Sequence, residues 1–385
     1  MSAPSEPAPV SPGLPSRPAD IPRTYEWFAA MRDSHPVVFG SGWRLPSWQV
    51  FRYDDVTRVL TDYSCFSSRA FAMGYSMLSD TLISKDPPDH GKLRSLVNMV
   101  FTPRAVTGLA SSIAAITQEL LDAARARGEM DVVADLAFPL PARVIAAMLG
   151  VPDRDWDIFR RLAATDAGTG DRGEMRRYFS ALLEERRRAP REDLISALSV
   201  AEVDGERLGE RELVSFCQLL LLAGQETTKN LIANFVLTLA DHPDVRAELV
   251  RDLDLVPGAI EEVLRYLAPV WFLFRLTTTE VELSGVRIPA GQTVLPWMAS
   301  ANRDASQFPE PDRFDVRRDP NRHLAFGHGI HFCLGAPLSR LEARVALPMM
   351  LEQLRDLRLV RRESIRVRAG IVFVISSLPV TFAAA

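Results

Sequence analysis

Apolar positions recur along most of this chain at intervals of three and four residues, and that period predicts a largely helical protein. Leu109, Ile113, Ile116, Leu120 and Leu121 form such a stripe through Thr107–Arg127. Asp54–Leu60 and His90–Val100 read as further helices, the second entered through Asp86-Pro87-Pro88-Asp89. Phe138–Leu149 is an apolar helix closed by Gly150 and Pro152, and Glu174–Arg188 is amphipathic and Arg-rich. The longest stretch is Glu210–Ala240, about eight turns. Leu213, Phe216, Cys217 and Leu219–Leu222 leave it little polar face before Gly224, so it should be buried nearly all round. Leu334–Leu354 is helical again. Short strands are predicted at Val281–Leu283, Val286–Ile288, Thr293–Pro296, Ile365–Val367 and Ile371–Phe382, separated by Gly-containing turns. The expected fold class is mainly α, an α+β arrangement with small sheets set to one side.

Seven prolines between Pro4 and Pro22 remove backbone donors at short intervals, so residues 1–22 read as an extended lead-in. The formal charge of −4 gives no sign of a nucleic-acid or anionic-membrane partner. No apolar run approaches the roughly 20 residues of a spanning helix. Cys65, Cys217 and Cys333 are too few and too far apart for a disulfide framework, which fits a reducing, cytoplasmic setting.

The segment Phe326-Gly327-His328-Gly329-Ile330-His331-Phe332-Cys333-Leu334-Gly335 sets one cysteine between glycines at the mouth of a helix. Helix-terminal amides favour a thiolate, and a buried thiolate is a strong axial donor to haem iron. Read alone, the cysteine also fits a small packed hydrophobe, or a zinc site with His328 and His331 that lacks a second thiolate. Ala223-Gly224-Gln225-Glu226-Thr227-Thr228 interrupts the greasy helix with polar groups that need partners. Read alone, it is a helix kink with Thr227 bonded back to its own backbone. Glu262 and Arg265 share one helical face, as do His90 and Arg94.

Together these segments resemble the cytochrome P-450 family, bacterial type. Phe326, Gly329, His331, Cys333 and Gly335 stand at the fixed positions of its haem signature Phe-x-x-Gly-x-His-x-Cys-x-Gly. The resemblance spans about residues 21–385 and implies one catalytic domain over 23–385. It implies haem b held by Cys333 as axial ligand, with Phe326, Gly327 and Gly335 around it. It implies His90, Arg94, Arg275 and His331 as partners of the haem propionates. It makes Ala223, Gly224, Glu226 and Thr227 the oxygen-activation segment, in which a local widening of the helix admits dioxygen. There Thr227 steadies the activated oxygen and Glu226 feeds protons. Glu262 and Arg265 would form a buried charge network with Arg313.

The function implied is a soluble monooxygenase that inserts one atom of dioxygen into an apolar organic substrate. Phe71, Met73, Tyr75, Met77, Leu78, Trp271, Phe272, Ile371 and Val372 stand where the family lines its pocket. The lid segment Trp156–Arg188 is shorter than in most bacterial relatives. No flavin or iron–sulfur segment is present, so electrons would come from a ferredoxin and an NAD(P)H-dependent ferredoxin reductase. Arg340 and Arg344, with Lys92 and Arg104, would form the docking patch. A peroxygenase or a haem-based sensor on the same scaffold are the alternatives, and the Glu226–Thr227 pair weighs against both.

Overall fold

The long apolar helix organises the molecule. In the computed structural model, which describes residues 11–40, 46–70, 80–164 and 172–384, it runs from Glu210 to Asp241. Helices Pro139–Leu149, Arg172–Arg188, Val256–Tyr266 and Ala336–Gln353 pack around it. The last of these also packs on Ala110–Arg125. Ile21 and Pro22 already belong to the first helix, Ile21–Ser34, because proline is tolerated in a first turn whose amides have no helical partner. Among the described residues no single helix is long and apolar enough to cross a membrane.

The strands lie at the edge of the helical body. The largest sheet orders its strands Val37–Gly40, Ser47–Val50, Thr293–Pro296, Arg275–Thr277 and Phe66–Ser67. All neighbours are antiparallel except Ser47–Val50 with Thr293–Pro296. The register Arg275↔Val294 and Ser67↔Leu276 brings Arg275 and the chain just after Ser67 to the same end of the sheet. The tail is not one strand over Ile371–Phe382. It breaks into Val374–Ile375 and Pro379–Ala384. Between them the Ser377 hydroxyl donates to Asp131, and the Leu378 amide donates to the same carboxylate at 3.0 Å. Asp131 thereby pulls the chain from a two-stranded ribbon into the sheet shared with Glu129–Asp131.

An aromatic cluster fills the space between the first helix and the large sheet. Trp271 stacks on Phe373 with centroids 5.2 Å apart, and Phe272 lies 4.6 Å from Trp297. Phe28 and Phe51 join the same cluster. Burying rings of this size stabilises the fold by about 1.5–3 kcal/mol each.

Candidate active site

The loop Phe326–Cys333 is closed by its own backbone: the Cys333 amide donates to the Phe326 carbonyl at 2.9 Å. Gly327 and Gly329 hold φ of +71° and +72°, where side chains are disfavoured. A methyl group on Gly329 would also come 3.1 Å from the Thr61 Cα. Gly335 then caps the helix Ala336–Gln353, and the amides of Gly335 and Ala336 point at the Cys333 sulfur. Cys333 lies deep in the molecule, yet its side chain has open surface because it faces a cavity of about 250 Å³. Burial pushes its thiol pKa up, against the two amides and the charges of Arg94 and Arg340.

Four cationic or imidazole side chains converge on one end of this cavity. Arg94, Arg275 and His331 line it, and the His90 ring lies 4.2 Å from that of His331. His331 Nε2 is 2.9 Å from the Ser68 hydroxyl, Arg94 donates to the Ile330 carbonyl at 3.0 Å, and Arg275 to the Phe274 carbonyl at 2.9 Å. His90 Nε2 is buried without a partner. Burial depresses Arg275 to about 10 against the attraction of Asp86, and depresses His331 to about 3 with Arg275, His90 and Arg94 adding to it. Two desolvated arginines beside two imidazoles able to donate form an anion site. A soft sulfur donor at one place and a cationic cluster at another fit a thiolate-ligated, carboxylate-bearing macrocycle such as haem.

The pH dependence of the apoprotein should report this crowding. Burial first, then Arg94, holds His90 below its ordinary 6.5. The unfolded chain therefore binds protons more readily, and stability is lost as pH falls from about 7 toward 5. The apoprotein Tm should drop over that range, and His90→Gln should lessen the drop. Identical slopes for the two proteins would contradict this account.

The long helix passes the cavity with Phe216, Leu219, Leu220, Ala223, Gly224 and Thr227. Their i, i+3, i+4, i+7 spacing puts them on one face. This corrects the expectation of burial all round, since that face borders a void and the rest borders protein. The helix runs without a break through this segment. Thr227 donates to its own Ala223 carbonyl at 2.6 Å. Gly224 has a packing reason: a Cβ there would sit 3.0 Å from Ile145 Cδ1. Glu226 is not among the cavity-lining residues. Its carboxylate stands 3.9 Å from Lys229 and 4.0 Å from Arg368.

The Cytochrome P-450 family model matches residues 172–374 of this chain. The putative cytochrome P-450 YjiB of Bacillus subtilis is 41% identical over 349 residues, covering 86% of this chain and 87% of its own. The cyclomarin C epoxidase CymV of Salinispora arenicola is 44% identical over 350 residues, covering 86% and 88%. Among solved structures, cytochrome P-450 CYP109Q5 from Chondromyces apiculatus superposes with a TM-score of 0.89 at 43% identity, covering 96% of this chain and 97% of its own.

The chain belongs to the cytochrome P-450 family. It is a haem-thiolate monooxygenase that uses haem b, inserts one atom of dioxygen into an apolar organic substrate and draws electrons from external redox partners.

Two groups of expected site residues need correction in this P-450. Glu262 and Arg265 are fully buried and joined by two hydrogen bonds of 2.8 Å. Their third partner is Arg318, whose Nε donates to Glu262 at 3.2 Å, and not Arg313. The Arg313 side chain is 62% exposed and pairs with Glu310, while its carbonyl accepts from Arg265 at 3.1 Å. The Asp315 amide and Asn321 complete the carboxylate's partners.

Trp271 and Phe272 belong to the aromatic core and do not line the cavity. Ile371 and Val372 are backbone props: the Ile371 carbonyl accepts from the Trp271 amide at 2.8 Å, and Val372 bridges Val270. Val270 and Leu273, which flank the two aromatic residues, face the cavity instead, because the backbone here is irregular and not a regular strand. Leu82, Ile83 and Met298 line it as well. Phe71, Met73, Tyr75, Met77 and Leu78 fall outside the described residues. Of the lid segment, the helices Trp156–Ala163 and Arg172–Arg188 are described.

Proposed function

We propose that Cys333 is the axial ligand of the haem iron, and that residues 23–385 form one catalytic domain in a cytoplasmic enzyme. The observation that carries this assignment is a sulfur that opens onto the same cavity as Arg94, Arg275 and His331. His90, Arg94, Arg275 and His331 would hold the propionates. The haem, when bound, supplies the activation of dioxygen and the transfer of one oxygen atom.

The chain's own residues then do three things. Phe216, Leu219, Leu220, Val270 and Leu273 exclude water and orient an apolar substrate by shape. Thr227 places a hydroxyl on the cavity wall, able to donate or accept once it leaves Ala223. Glu226, in loose pairs with Lys229 and Arg368, is the carboxylate from which protons would reach that hydroxyl. Thr227→Ala should keep haem content and the carbon-monoxide spectrum while losing a larger share of reductant as hydrogen peroxide. Any compound that gives a low-to-high-spin shift serves for the assay, and testosterone is a first probe because the related CYP109E1 from Bacillus megaterium was solved in complex with it. Equal product per reductant consumed in wild type and Thr227→Ala would remove Thr227 from the mechanism.

The electron donor in this reading is an acidic ferredoxin, reduced by an NAD(P)H-dependent reductase. Arg340 is already held by a carboxylate at 2.8 Å, and Lys92 forms an exposed pair with Glu206. Arg344 is exposed and only loosely paired, 3.8 Å from Glu261, and Arg104 is exposed, so these two cations are the more available for docking. Salt should slow reduction, and Arg344→Glu with Arg104→Glu should slow it further. Reduction rates indifferent to both would exclude this face.

A further inference from the structure

Glu261 sits beside the buried Glu262 on the helix Val256–Tyr266 but takes no part in its network. Its carboxylate grips Arg340 with both oxygens, Nε and Nη2 each at 2.8 Å. His323 Nε2 lies 3.0 Å from the same carboxylate, and Arg344 3.8 Å. The Ala325 amide donates to His323 Nδ1 at 3.2 Å, so that nitrogen is the acceptor and Nε2 carries the proton given to Glu261. Burial alone would raise the Glu261 pKa, but Arg340 and His323 outweigh it and hold it at about 2.

The clamp has a direction. Arg340 lies over Phe326, its guanidinium carbon 4.5 Å from the ring centroid. Phe326 is a wall of the haem cavity, and its carbonyl receives the Cys333 amide. A forked, bidentate arginine fixed at both ends loses its freedom to follow solvent. The positive charge held over Phe326 favours the thiolate form of Cys333, and Glu261 is its counter-charge.

We propose that Glu261 is the counter-charge that tempers Arg340 at the thiolate: the pair, held against Phe326, sets the net charge felt at Cys333, and so the reduction potential of the bound haem. The inference rests on Cys333 being the ligand. Reduction adds negative charge to the centre, so a nearby cation favours it and a nearby anion opposes it. In Glu261→Gln the side-chain carbonyl still accepts from Arg340 and the ring stack remains, while the opposing charge is gone. In Arg340→Gln the cation is gone and the carboxylate stays.

The test is a spectroelectrochemical titration of the haem-loaded wild type, Glu261→Gln, Arg340→Gln and Arg340→Lys. Glu261→Gln should raise the potential and Arg340→Gln lower it. Each should change the ferrous-to-ferric ratio at fixed potential about three- to tenfold, or roughly 30–59 mV at 59 mV per tenfold. Arg340→Lys keeps the charge and should stay near wild type. A general loosening of the fold would not move two variants in opposite directions. A potential unmoved by Glu261→Gln overturns the inference, even if Arg340→Gln fails to load haem. So do shifts of the two variants in the same direction. A wild type without the red-shifted carbon-monoxide band fails differently: it overturns the ligand assignment itself, and the inference with it.

Discussion

Cys333→Ala is expected to abolish the strongly red-shifted Soret band of the reduced, carbon-monoxide-bound protein, while Cys65→Ala and Cys217→Ala leave it unchanged. The three cysteines differ in what their sulfurs face. Cys217 is buried inside the long helix, and burial pushes its thiol up to about 12. Cys65 sits beside Ser64 at the edge of the large sheet, outside the cavity. Only Cys333 of the three lines the cavity, with two backbone amides and two arginines biasing it toward thiolate. Burial still holds the free thiol above its ordinary value, so the apoprotein should carry a protonated Cys333 that loses its proton when the metal binds. A band retained in Cys333→Ala would refute the ligand assignment. A band lost in Cys65→Ala would move the site to the sheet edge.

What could be read from the sequence was mostly local. The cysteine loop announces itself because left-handed glycines, an N-capping glycine and a ligating sulfur fall within ten consecutive residues. The long helix is as readable, since its period persists over many turns. Its role as a cavity wall was not, because an apolar face looks the same in sequence whether it meets protein or a void. The stripe from Phe216 to Thr227 carries the signal in hindsight: it leads straight into the polar Gly-Gln-Glu-Thr segment. Trp271 and Phe272 misled for the converse reason. Val270 and Leu273 flank them in an irregular segment with no period to read, and only the aromatic cluster around Phe28 and Trp297 shows which pair faces inward. Glu261 offers no sequence signal, since its partners Arg340 and His323 lie 79 and 62 residues away.

The second large effect separates Arg318 from Arg313. The spacing of Glu262 and Arg265 showed that they share a face, but not which later arginine reaches them, because the intervening loop turns back on itself. The chain from Pro309 to Asn321 wraps Arg318 so that its Nη atoms donate to the carbonyls of Pro309, Glu310 and Arg313 while Nε meets Glu262. Glu262 carries one negative charge with no water contact and depends on Arg265, Arg318, Asn321 and the Asp315 amide. Removing one partner of a buried ion pair costs about 3–5 kcal/mol, because the other charge remains desolvated. A domain's whole stability is about 5–15 kcal/mol, so Arg265→Ala should yield little folded, haem-loaded protein. Arg318→Ala should cost about 2–4 kcal/mol, since Arg265 still neutralises the carboxylate while three hydrogen bonds to the loop and one to Glu262 are lost. Arg313→Ala should fall within about 0.5 kcal/mol of wild type, as surface changes usually do, because its contribution to the network is a backbone carbonyl that alanine retains. Urea unfolding of the three variants, with haem content measured alongside, distinguishes these outcomes. A large loss in Arg313→Ala with little change in Arg318→Ala would return the third place in the network to Arg313.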